Sequence, residues 1–427
     1  MKHLRCSMVA LLTLIVLCIP LVASGQPTSE IKQIYPKMYP AGGLVWNKMN
    51  LQETCWGKIC EDPSGRIWFS GGDHWGTDRR SGLSVARYDR PWGYGNTTVC
   101  FYDPKKNKAD VAYELDEASA IFSNFETPGH GKIHANIVSD SKGGIWTAGY
   151  MGASYDHEFA SSYYPKGYAG GAVVRYDPKT KDIDYFGLPT PFGGQVALYL
   201  DEKRTTVHGF SVDRGRYWRI NYETKELKHY ETNGRFGIRE MITDHDGNAY
   251  FANEFGGLTK FDPDTETFTD LDMKIPGLRA SVVSSKNVIY GISAAGFLWS
   301  YDTKTNKVEE YGHIVQVPDE NVYTPNLAID EKWGRLYAIA GGHGVTLAGM
   351  PILTIFDLKA KKFYWPGKLD VDGCYGAVVA KDHKVYFGCY AYEQKNNRRV
   401  KDKDGKEHRR NYLVRYDAPK SLKGMQQ

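Results

Sequence analysis

Asp62-Pro63-Ser64-Gly65-Arg66-Ile67-Trp68 is the stretch that decides the fold, because units of this kind recur along the chain. In each unit an apolar strand ends near an Asp, the chain turns at Gly, and a new strand begins and reaches an aromatic residue. The period of roughly 40 to 60 residues is typical of repeat architectures. The other copies are Asp140–Trp146, Asp246–Tyr250, Asp330–Tyr337 and Asp382–Tyr386, with degenerate forms at Asp201–His208 and Ser284–Tyr290.

A second motif, Tyr-Asp or Phe-Asp before a turn of Pro, Lys or Thr, occurs in the same units. We interpret it as a hairpin between the two outer strands, in which the ring packs between sheets and the Asp side chain caps backbone amides of the turn. Its copies are Tyr102-Asp103, Tyr176-Asp177, Tyr222-Glu223, Phe261-Asp262, Tyr301-Asp302, Phe356-Asp357 and Tyr416-Asp417.

Seven such units, without a helical period after the first segment, predict an all-β fold: a seven-bladed β-propeller with four strands in each blade. The 45 Gly and the 13% aromatic content agree with strands and tight turns. The chain ends on Tyr416-Asp417 without room for a last strand. We therefore predict that the N-terminal segment near residues 31–39 completes the last blade and closes the ring.

Residues 1–25 have the features of a secretory signal peptide. Lys2 and Arg5 give a basic start, an apolar run extends from Met8 to Leu21, and small residues precede Gln26. The run is too short for a membrane span. We expect a mature propeller of residues 26–427 that is periplasmic or secreted and monomeric.

The formal net charge of +4 argues against nucleic acid as a partner, because nucleic-acid binding normally requires clustered Lys and Arg. One basic run, from Arg398 to Arg410, lies between strand-like segments, and we interpret it as a solvated hairpin loop.

Five Cys follow the signal peptide. Their odd number leaves at least one thiol unpaired, so the chain is no disulfide scaffold, and most are expected to be buried small hydrophobic residues.

One face of a propeller collects the segments that enter each first strand and the loops between second and third strands. In the second blade, His134 precedes the first strand, and a long loop with several Tyr extends from Tyr150 to Gly170. We expect both to converge on this face. Other blades add further candidates for it, which are His74, His208, Arg214, Arg216, Arg235, Arg239 and His343.

Histidine, tyrosine and arginine together suit β-elimination from a uronic acid: Arg or His neutralises the carboxylate, and His or Tyr removes the C5 proton. A single propeller His is more often a packed or solvated residue. Paired carboxylates of a glycosidase cannot be identified, because Asp and Glu fall mostly on repeat turns. Asp262–Asp264 lacks the spacing of a calcium-binding loop, so the sequence identifies no cofactor with certainty. A structural Ca²⁺ in the central channel remains an alternative.

Lys132-Ile133-His134, the aromatic loop that closes with Gly170 to Asp177, and the seven-blade layout resemble the propeller polysaccharide lyases. These include the ulvan lyases and the L-rhamnose-α-1,4-D-glucuronate lyases that trim gum arabic and related arabinogalactans. The resemblance implies that His134 neutralises the carboxylate or shuttles a proton and that the substrate is an acidic plant polysaccharide. It further implies a second histidine, His157; a catalytic tyrosine, one of Tyr150, Tyr155 and Tyr199; and a clamp of Arg214 or Arg216 with Arg239.

The opening of blade one, Glu53–Lys58, with the Gly71–Trp75 turn also resembles gut-bacterial propeller α-L-rhamnosidases that attack the same rhamnose-glucuronate cap. In that family a His on the opposite face is thought to serve catalysis, and this neighbourhood offers Gln52 instead. The leading hypothesis is therefore a lyase that releases terminal L-rhamnose from glucuronate. An α-L-rhamnosidase and a non-catalytic glycan-binding propeller are the alternatives.

Overall fold

Seven four-stranded antiparallel sheets form a ring in the computed structural model, which confirms the predicted seven-bladed β-propeller. The structure describes residues 44–45, 55–72, 97–115, 118, 130–151, 170–191, 193–211, 215–232, 235–316, 322–341, 351–369, 371–392, 394–395, 398–399 and 409–425. We name the strands of each blade A to D from the channel outward. Among these residues no helix has the length and apolar character needed to cross a membrane.

The first strand, β1 (Leu44–Val45), belongs to the last blade. Blade 1 consists of β2 (Cys60–Glu61), β3 (Ile67–Gly71), β4 (Thr98–Asp103) and β5 (Lys108–Glu114). A short ribbon, β6 (His130–Lys132) with β9 (Tyr150–Met151), adjoins blade 2, which consists of β7 (Val138–Ser139), β8 (Ile145–Ala148), β10 (Val173–Tyr176) and β11 (Ile183–Tyr185). Blade 3 consists of β12 (Gln195–Asp201), β13 (Thr206–Ser211), β14 (Arg216–Asn221) and β15 (Leu227–Glu231), with a 3-10 turn at Glu202–Arg204.

The remaining blades follow the same order. Blade 4 consists of β16 (Phe236–Thr243), β17 (Ala249–Asn253), β18 (Leu258–Asp262) and β19 (Thr267–Asp270). Blade 5 consists of β20 (Ala280–Val283), β21 (Val288–Ile292), β22 (Phe297–Asp302) and β23 (Lys307–His313). Blade 6 consists of β24 (Ala328–Asp330), β25 (Arg335–Ala340), β26 (Ile352–Asp357) and β27 (Lys362–Lys368). Blade 7 consists of β28 (Gly373–Val379), β29 (Lys384–Tyr392), β32 (Arg409–Asp417) and β1, with a hairpin of β30 (Gln394–Lys395) and β31 (Arg398–Arg399).

Closure of the ring depends on β1, which pairs with β32 as the outermost strand of blade 7. Leu44 lies opposite Val414 in this antiparallel pair. The N-terminal segment thus closes the ring, as predicted, but the strand is Leu44–Val45, and residues 31–39 lie outside the described residues. A side-chain contact adds to the closure, since Glu61 of blade 1 accepts a hydrogen bond from the backbone N–H of Lys381 in blade 7 at 3.0 Å.

The recurring Asp of the A–B turns ties each turn to the strand that follows. The Asp62 carboxylate accepts the backbone N–H of Ser64 and, at 2.9 Å, the indole N–H of Trp68. Asp140 receives the same two kinds of hydrogen bond from the turn amides and from Trp146 at 3.1 Å. In blade 4 the capping residue is Asp244, two residues before the predicted Asp246. An Asp with an aromatic donor six residues later therefore defines this turn.

The second motif forms the predicted C–D hairpins. The Asp177 side chain accepts the backbone N–H of Lys179 at 2.8 Å and of Thr180 at 3.4 Å, and Lys181 completes the turn with a φ of 67°. Asp103, Asp262, Asp302 and Asp357 cap their turns in the same way. In blade 3 the capping residue is Asn221 and not the expected Glu223. The backbone N–H of Glu223 donates a hydrogen bond to the side-chain oxygen of Asn221.

Glycines in two B strands let a tryptophan of strand C lie flat on the sheet. Gly209 pairs with Trp218 and Gly291 with Trp299 in the antiparallel registers. A Cβ atom would lie 2.4 Å from the ring of Trp218 and 2.1 Å from that of Trp299, which no side chain can tolerate. Both rings are fully buried and pack between neighbouring blades.

We expect Asp244→Ala to lower the free energy of unfolding by about 2–4 kcal/mol, because it leaves buried turn amides and the Tyr250 hydroxyl without their acceptor. The matched control is Asp262→Ala, which removes a cap from an exposed C–D turn and costs about 1 kcal/mol. Urea denaturation followed by tryptophan fluorescence measures both. Equal losses would contradict the role assigned to the A–B aspartate.

Candidate functional site

The mouth of the central channel is lined by residues from the entry segments and A strands of all seven blades. These residues, which we call the mouth, are Trp56, Lys58, His134, Asn136, Val196, Arg239, Glu240, Arg279, Pro325 and Tyr375. In an extended segment alternate residues face the same side, so His134 and Asn136 face the channel together. The intervening Ala135 is fully buried in the core between blades. The expected functional face thus carries a polar pocket.

His134 stands between two aromatic rings at the mouth. Its imidazole lies edge-on to Tyr150, with ring centroids 4.7 Å apart and an interplanar angle of 87°. On its other side the Trp56 ring is 6.0 Å away. The structure therefore brings His134 and Tyr150 together, although most of the loop that follows Tyr150 lies outside the described residues.

An aromatic wall continues from Trp56 into blades 6 and 7. Tyr375 lies 4.9 Å from Trp56 and stacks on Tyr390 at 5.8 Å, while Tyr323 of blade 6 lies 6.3 Å from Tyr375. These four rings form one cluster. Rings of this kind supply flat apolar surface with polar edges, which suits the faces of a sugar.

Three cations accompany the rings. The buried ammonium of Lys132 lies 4.9 Å from the Trp56 ring and 5.1 Å from the Tyr150 ring. Arg279 donates a hydrogen bond of 2.6 Å to the Tyr323 hydroxyl and faces that ring. Arg239 lines the mouth with Arg279 and His134. The mouth therefore has a positive, aromatic lining, to which an anionic sugar is complementary.

A partly buried ion pair forms the floor of the mouth, with the Glu240 side chain 5% and the Lys58 side chain 21% exposed. The ammonium of Lys58 contacts the carboxylate of Glu240 and the hydroxyl of Tyr199, the latter at 3.4 Å, and the Ser281 hydroxyl donates to Glu240 at 2.5 Å. Burial is the largest single effect and would lower the pKa of Lys58, but the charges of Glu240 and Tyr199 and their hydrogen bonds together outweigh it and raise that pKa. Burial raises the pKa of Tyr199. The floor therefore holds a charged pair and a neutral phenol.

A second cavity of about 410 Å³ lies beyond the floor, in the other half of the channel. Its walls are mainly aliphatic side chains from the ends of the A strands, such as Val138, Val283 and Val379. Tyr199 lines this cavity and is absent from the lining of the mouth. Of the two candidate tyrosines that the structure describes, Tyr150 lies beside His134 and Tyr199 does not line the mouth.

His208 lies inside blade 3 and not at the mouth. It is 1% exposed, and its Nδ1 lies 2.8 Å from the hydroxyl of Tyr217. Burial, with the nearby charge of Arg219, lowers the pKa of His208 to about 3, so the ring stays neutral and cannot offset a substrate carboxylate. The structure thus places His208 in the interior of blade 3, outside the lining of the mouth.

Two of the expected arginines are engaged by acidic residues of the outer strands. Arg216 pairs with Glu231 at 3.0 Å, and Arg235 pairs with Asp270 at 2.6 Å. Neither lines the mouth. The other predicted site residues lie outside the described residues, as does Gln52; they are His74, Tyr155, His157, Arg214 and His343.

Arg279, Lys132 and Tyr375 were not predicted, although the repeat contains a signal for two of them. The A–B turn begins at one equivalent residue in each blade, and the mouth residue stands five or six positions before it. This spacing relates Trp56 to Asp62, His134 to Asp140, Val196 to Asp201, Arg239 to Asp244, Arg279 to Ser284, Pro325 to Asp330 and Tyr375 to Ala380. Lys132 does not follow this spacing.

The described residues do not fit a calcium site in the channel. They contain no group of three or more His, Cys, Asp or Glu side chains that could hold a metal ion. In the mouth the carboxylate is that of Glu240, which Lys58 and Ser281 already engage. Ca²⁺ takes six to eight oxygen ligands, which this lining does not supply.

The buried His208 predicts a pH dependence of stability. Its folded pKa of about 3 lies below the ordinary 6.5, so between these values the unfolded chain binds a proton that the folded chain does not. Stability is therefore lost as the pH falls below 6.5. Between pH 7 and pH 4 we expect the wild type to lose about 3 kcal/mol more than His208→Gln. Urea denaturation across this range tests it, and parallel profiles for the two proteins would refute it.

The floor predicts a second stability effect. Lys58→Met leaves the Glu240 carboxylate buried without its cation, and we expect it to lower the free energy of unfolding by about 3 kcal/mol. The double variant Lys58→Met/Glu240→Met removes both charges and should regain most of this loss. Denaturation midpoints measure the two variants. A double variant no more stable than the single one would show that the charge pair is not the cause.

Comparison with known proteins shows the fold. No protein-family model matches the chain, and no curated protein sequence matches it. Among solved structures, virginiamycin B lyase of Staphylococcus aureus with quinupristin is similar at a TM-score of 0.54 and 11% identity, over 86% of this chain and 97% of that one. The WD40 repeats of RRP9 match at 0.52 and 8%, over 87% and 97%.

A third similar structure is the extracellular domain of a hybrid two-component system of B. thetaiotaomicron. It has a TM-score of 0.50 and 10% identity, and the match covers 87% of this chain and 40% of that one. At such identities the likeness extends to architecture and not to residues of a site. The chain is thus a seven-bladed β-propeller whose neighbours in structure include a lyase and an extracellular domain.

Proposed function

We propose that this chain is a carbohydrate lyase that removes terminal L-rhamnose from glucuronic acid of arabinogalactan-type plant glycans by β-elimination. The observation that carries the proposal is the position of His134, which shares one pocket with Arg239 and Arg279. The Tyr150 ring stands against the same imidazole. A base, a phenol and two guanidinium groups are what elimination beside a carboxylate requires.

Arg239 and Arg279 would bind the uronate carboxylate. Neutralising that charge acidifies the C5 hydrogen, because the negative charge that develops at C5 is delocalised towards the carboxylate. Trp56 and Tyr375 offer a stacking surface for the sugar rings. These contacts would hold the terminal disaccharide with its glucuronate next to His134.

The proposed reaction breaks one C–H bond and one C–O bond. His134 takes the C5 proton, the electron pair of that bond forms the C4=C5 double bond, and the C4–O4 bond breaks. The Tyr150 hydroxyl returns a proton to O4, which leaves on the rhamnose. The products are L-rhamnose and an unsaturated uronate at the chain end.

The acidic residues of the mouth favour elimination over hydrolysis. An inverting or retaining glycosidase needs two carboxyl groups, one on each side of the scissile bond. Among the described residues the mouth offers Glu240, and its carboxylate is held by Lys58 and Ser281. The signal peptide predicted at residues 1–25 places this activity, as part of the proposal, in the periplasm or outside the cell.

Incubation of the protein with gum arabic tests the reaction. The unsaturated uronate absorbs at about 230 nm, so absorbance should rise in step with free rhamnose. Rhamnose release without this absorbance would assign the chain to the α-L-rhamnosidases. Binding of the glycan without any product would assign it to the non-catalytic propellers.

Variants of the mouth test the roles of its residues. We expect His134→Ala to lower kcat by roughly a hundredfold or more, since it removes the base. Arg239→Ala should lower kcat/KM by roughly tenfold or more through loss of a carboxylate contact. The matched control is Arg415→Ala on strand C of blade 7, where the arginine pairs with Asp417 away from the mouth. Unchanged kcat in His134→Ala would remove this histidine from the mechanism.

A further inference from the structure

A tyrosine behind the lining of the mouth holds one of its arginines. The Arg279 guanidinium donates a hydrogen bond of 2.6 Å to the Tyr323 hydroxyl and lies 5.0 Å from the centre of the Tyr323 ring. Arg279 lines the mouth, whereas Tyr323 does not. Tyr323 can therefore act on a ligand in the mouth through the arginine that it holds.

The two residues belong to neighbouring blades, and backbone hydrogen bonds anchor both segments. Arg279 precedes strand A of blade 5, and its backbone N–H donates to the carbonyl of Ile292 at 2.7 Å. Tyr323 belongs to the segment that leads into strand A of blade 6. The next residue, Thr324, donates its backbone N–H to the carbonyl of Ala294 in blade 5 at 3.2 Å. The side-chain contact is thus made between two fixed segments.

The backbone of Tyr323 has a left-handed conformation, which is costly for a bulky side chain. Its φ is 38°, in a region that favours Gly and Asn. The other nine non-Gly residues with positive φ in the described part of the chain all lie in hairpin turns of the blades, as Lys181 and Asn306 do. Tyr323 lies beside the pocket instead. Strain at such a position points to a role of the side chain.

The tyrosine hydroxyl orients the guanidinium without cancelling its charge. Arg216 and Arg235 each pair with a carboxylate of an outer strand. Arg279 forms no ion pair with a carboxylate of the described residues. A guanidinium has five N–H donors in one plane, so a hydrogen bond to one of them sets the direction of the others. An anionic ligand that binds Arg279 therefore displaces no acidic side chain.

We propose that Tyr323 is a positioning residue, which holds Arg279 ready for a carboxylate and so gives the mouth a preference for uronates over neutral sugars. This role rests on the proposed function, since the carboxylate is that of the glucuronate. The arginine is ordered before the ligand arrives, so binding loses less conformational entropy of a long side chain. The gain is confined to anionic ligands, because a neutral sugar forms no charge-assisted pair with Arg279.

Removal of a single hydroxyl tests this role. Tyr323→Phe keeps the ring beside Arg279 and removes the acceptor of its hydrogen bond. The matched control is Tyr311→Phe on strand D of blade 5, which removes a hydroxyl that is bonded to Ser300 and Glu309 on the outer strands. Both variants lose one hydroxyl with partners, and Tyr323 is the one that contacts a residue of the mouth.

The probes are gum arabic and carboxyl-reduced gum arabic, in which the uronates have become neutral sugars. Binding is measured by calorimetry in the His134→Ala background, which prevents turnover. We expect Tyr323→Phe to bind gum arabic roughly tenfold more weakly than its parent and to bind the reduced polymer as the parent does. The Tyr311→Phe control should bind both polymers as the parent does. Equal binding of gum arabic by Tyr323→Phe and parent, or an equal loss for both polymers, would overturn the proposal.

A double variant tests whether the tyrosine acts through the arginine. In an Arg279→Met background, Tyr323→Phe should cause no further loss of gum arabic binding, since coupled residues are not additive. A further tenfold loss there would contradict the positioning role. A parent that binds gum arabic no more tightly than the reduced polymer would overturn the proposed function and this role together. A parent that prefers gum arabic, with the same preference in Tyr323→Phe, would overturn the role of Tyr323 alone.

Discussion

Backbone pairing between the two ends of the chain holds this molecule in a ring. Strand β1 contributes two residues, and these complete the four-stranded sheet of blade 7. A closed ring of blades places all seven A strands around one channel. The mouth, its floor and the cavity beyond exist because that channel exists. Each blade by itself carries only one or two of the residues that line the mouth.

The channel combines two physical environments. At the mouth, guanidinium and aromatic groups leave a positive surface with stacking faces. Below it the Lys58–Glu240 pair closes the channel with charges that neutralise each other. A buried ion pair adds little net stability, because the desolvation of both ions offsets their attraction. Its effect here is to separate a polar mouth from the aliphatic half of the channel.

Residues that are close in the sequence, or paired in a sheet, can have different surroundings in this fold. Arg235 and Arg239 stand four positions apart, but Arg235 pairs with Asp270 and Arg239 lines the mouth. His208 and Tyr199 lie on paired strands of blade 3, with His208 in the blade interior and Tyr199 at the channel. Strand A borders the channel and strand B lies one strand further out, so two residues that are partners in the sheet can have different surroundings. Arg279 of blade 5 lines the same pocket as His134 of blade 2, which chain order does not express.

The sequence by itself determined the blade count, the chemistry of most C–D turns and the N-terminal origin of the closing strand, since these depend on local patterns: a strand that ends near an Asp before a Gly turn, and an aromatic-Asp step before the next hairpin. It also placed His134 and Tyr150 on one face, because both belong to blade 2. The tertiary structure decided which arginines join them, that His208 is buried and neutral, and that Lys58 faces Glu240. Those contacts join residues from different blades or depend on which face of a strand is covered. Only closure of the ring sets the distances across it.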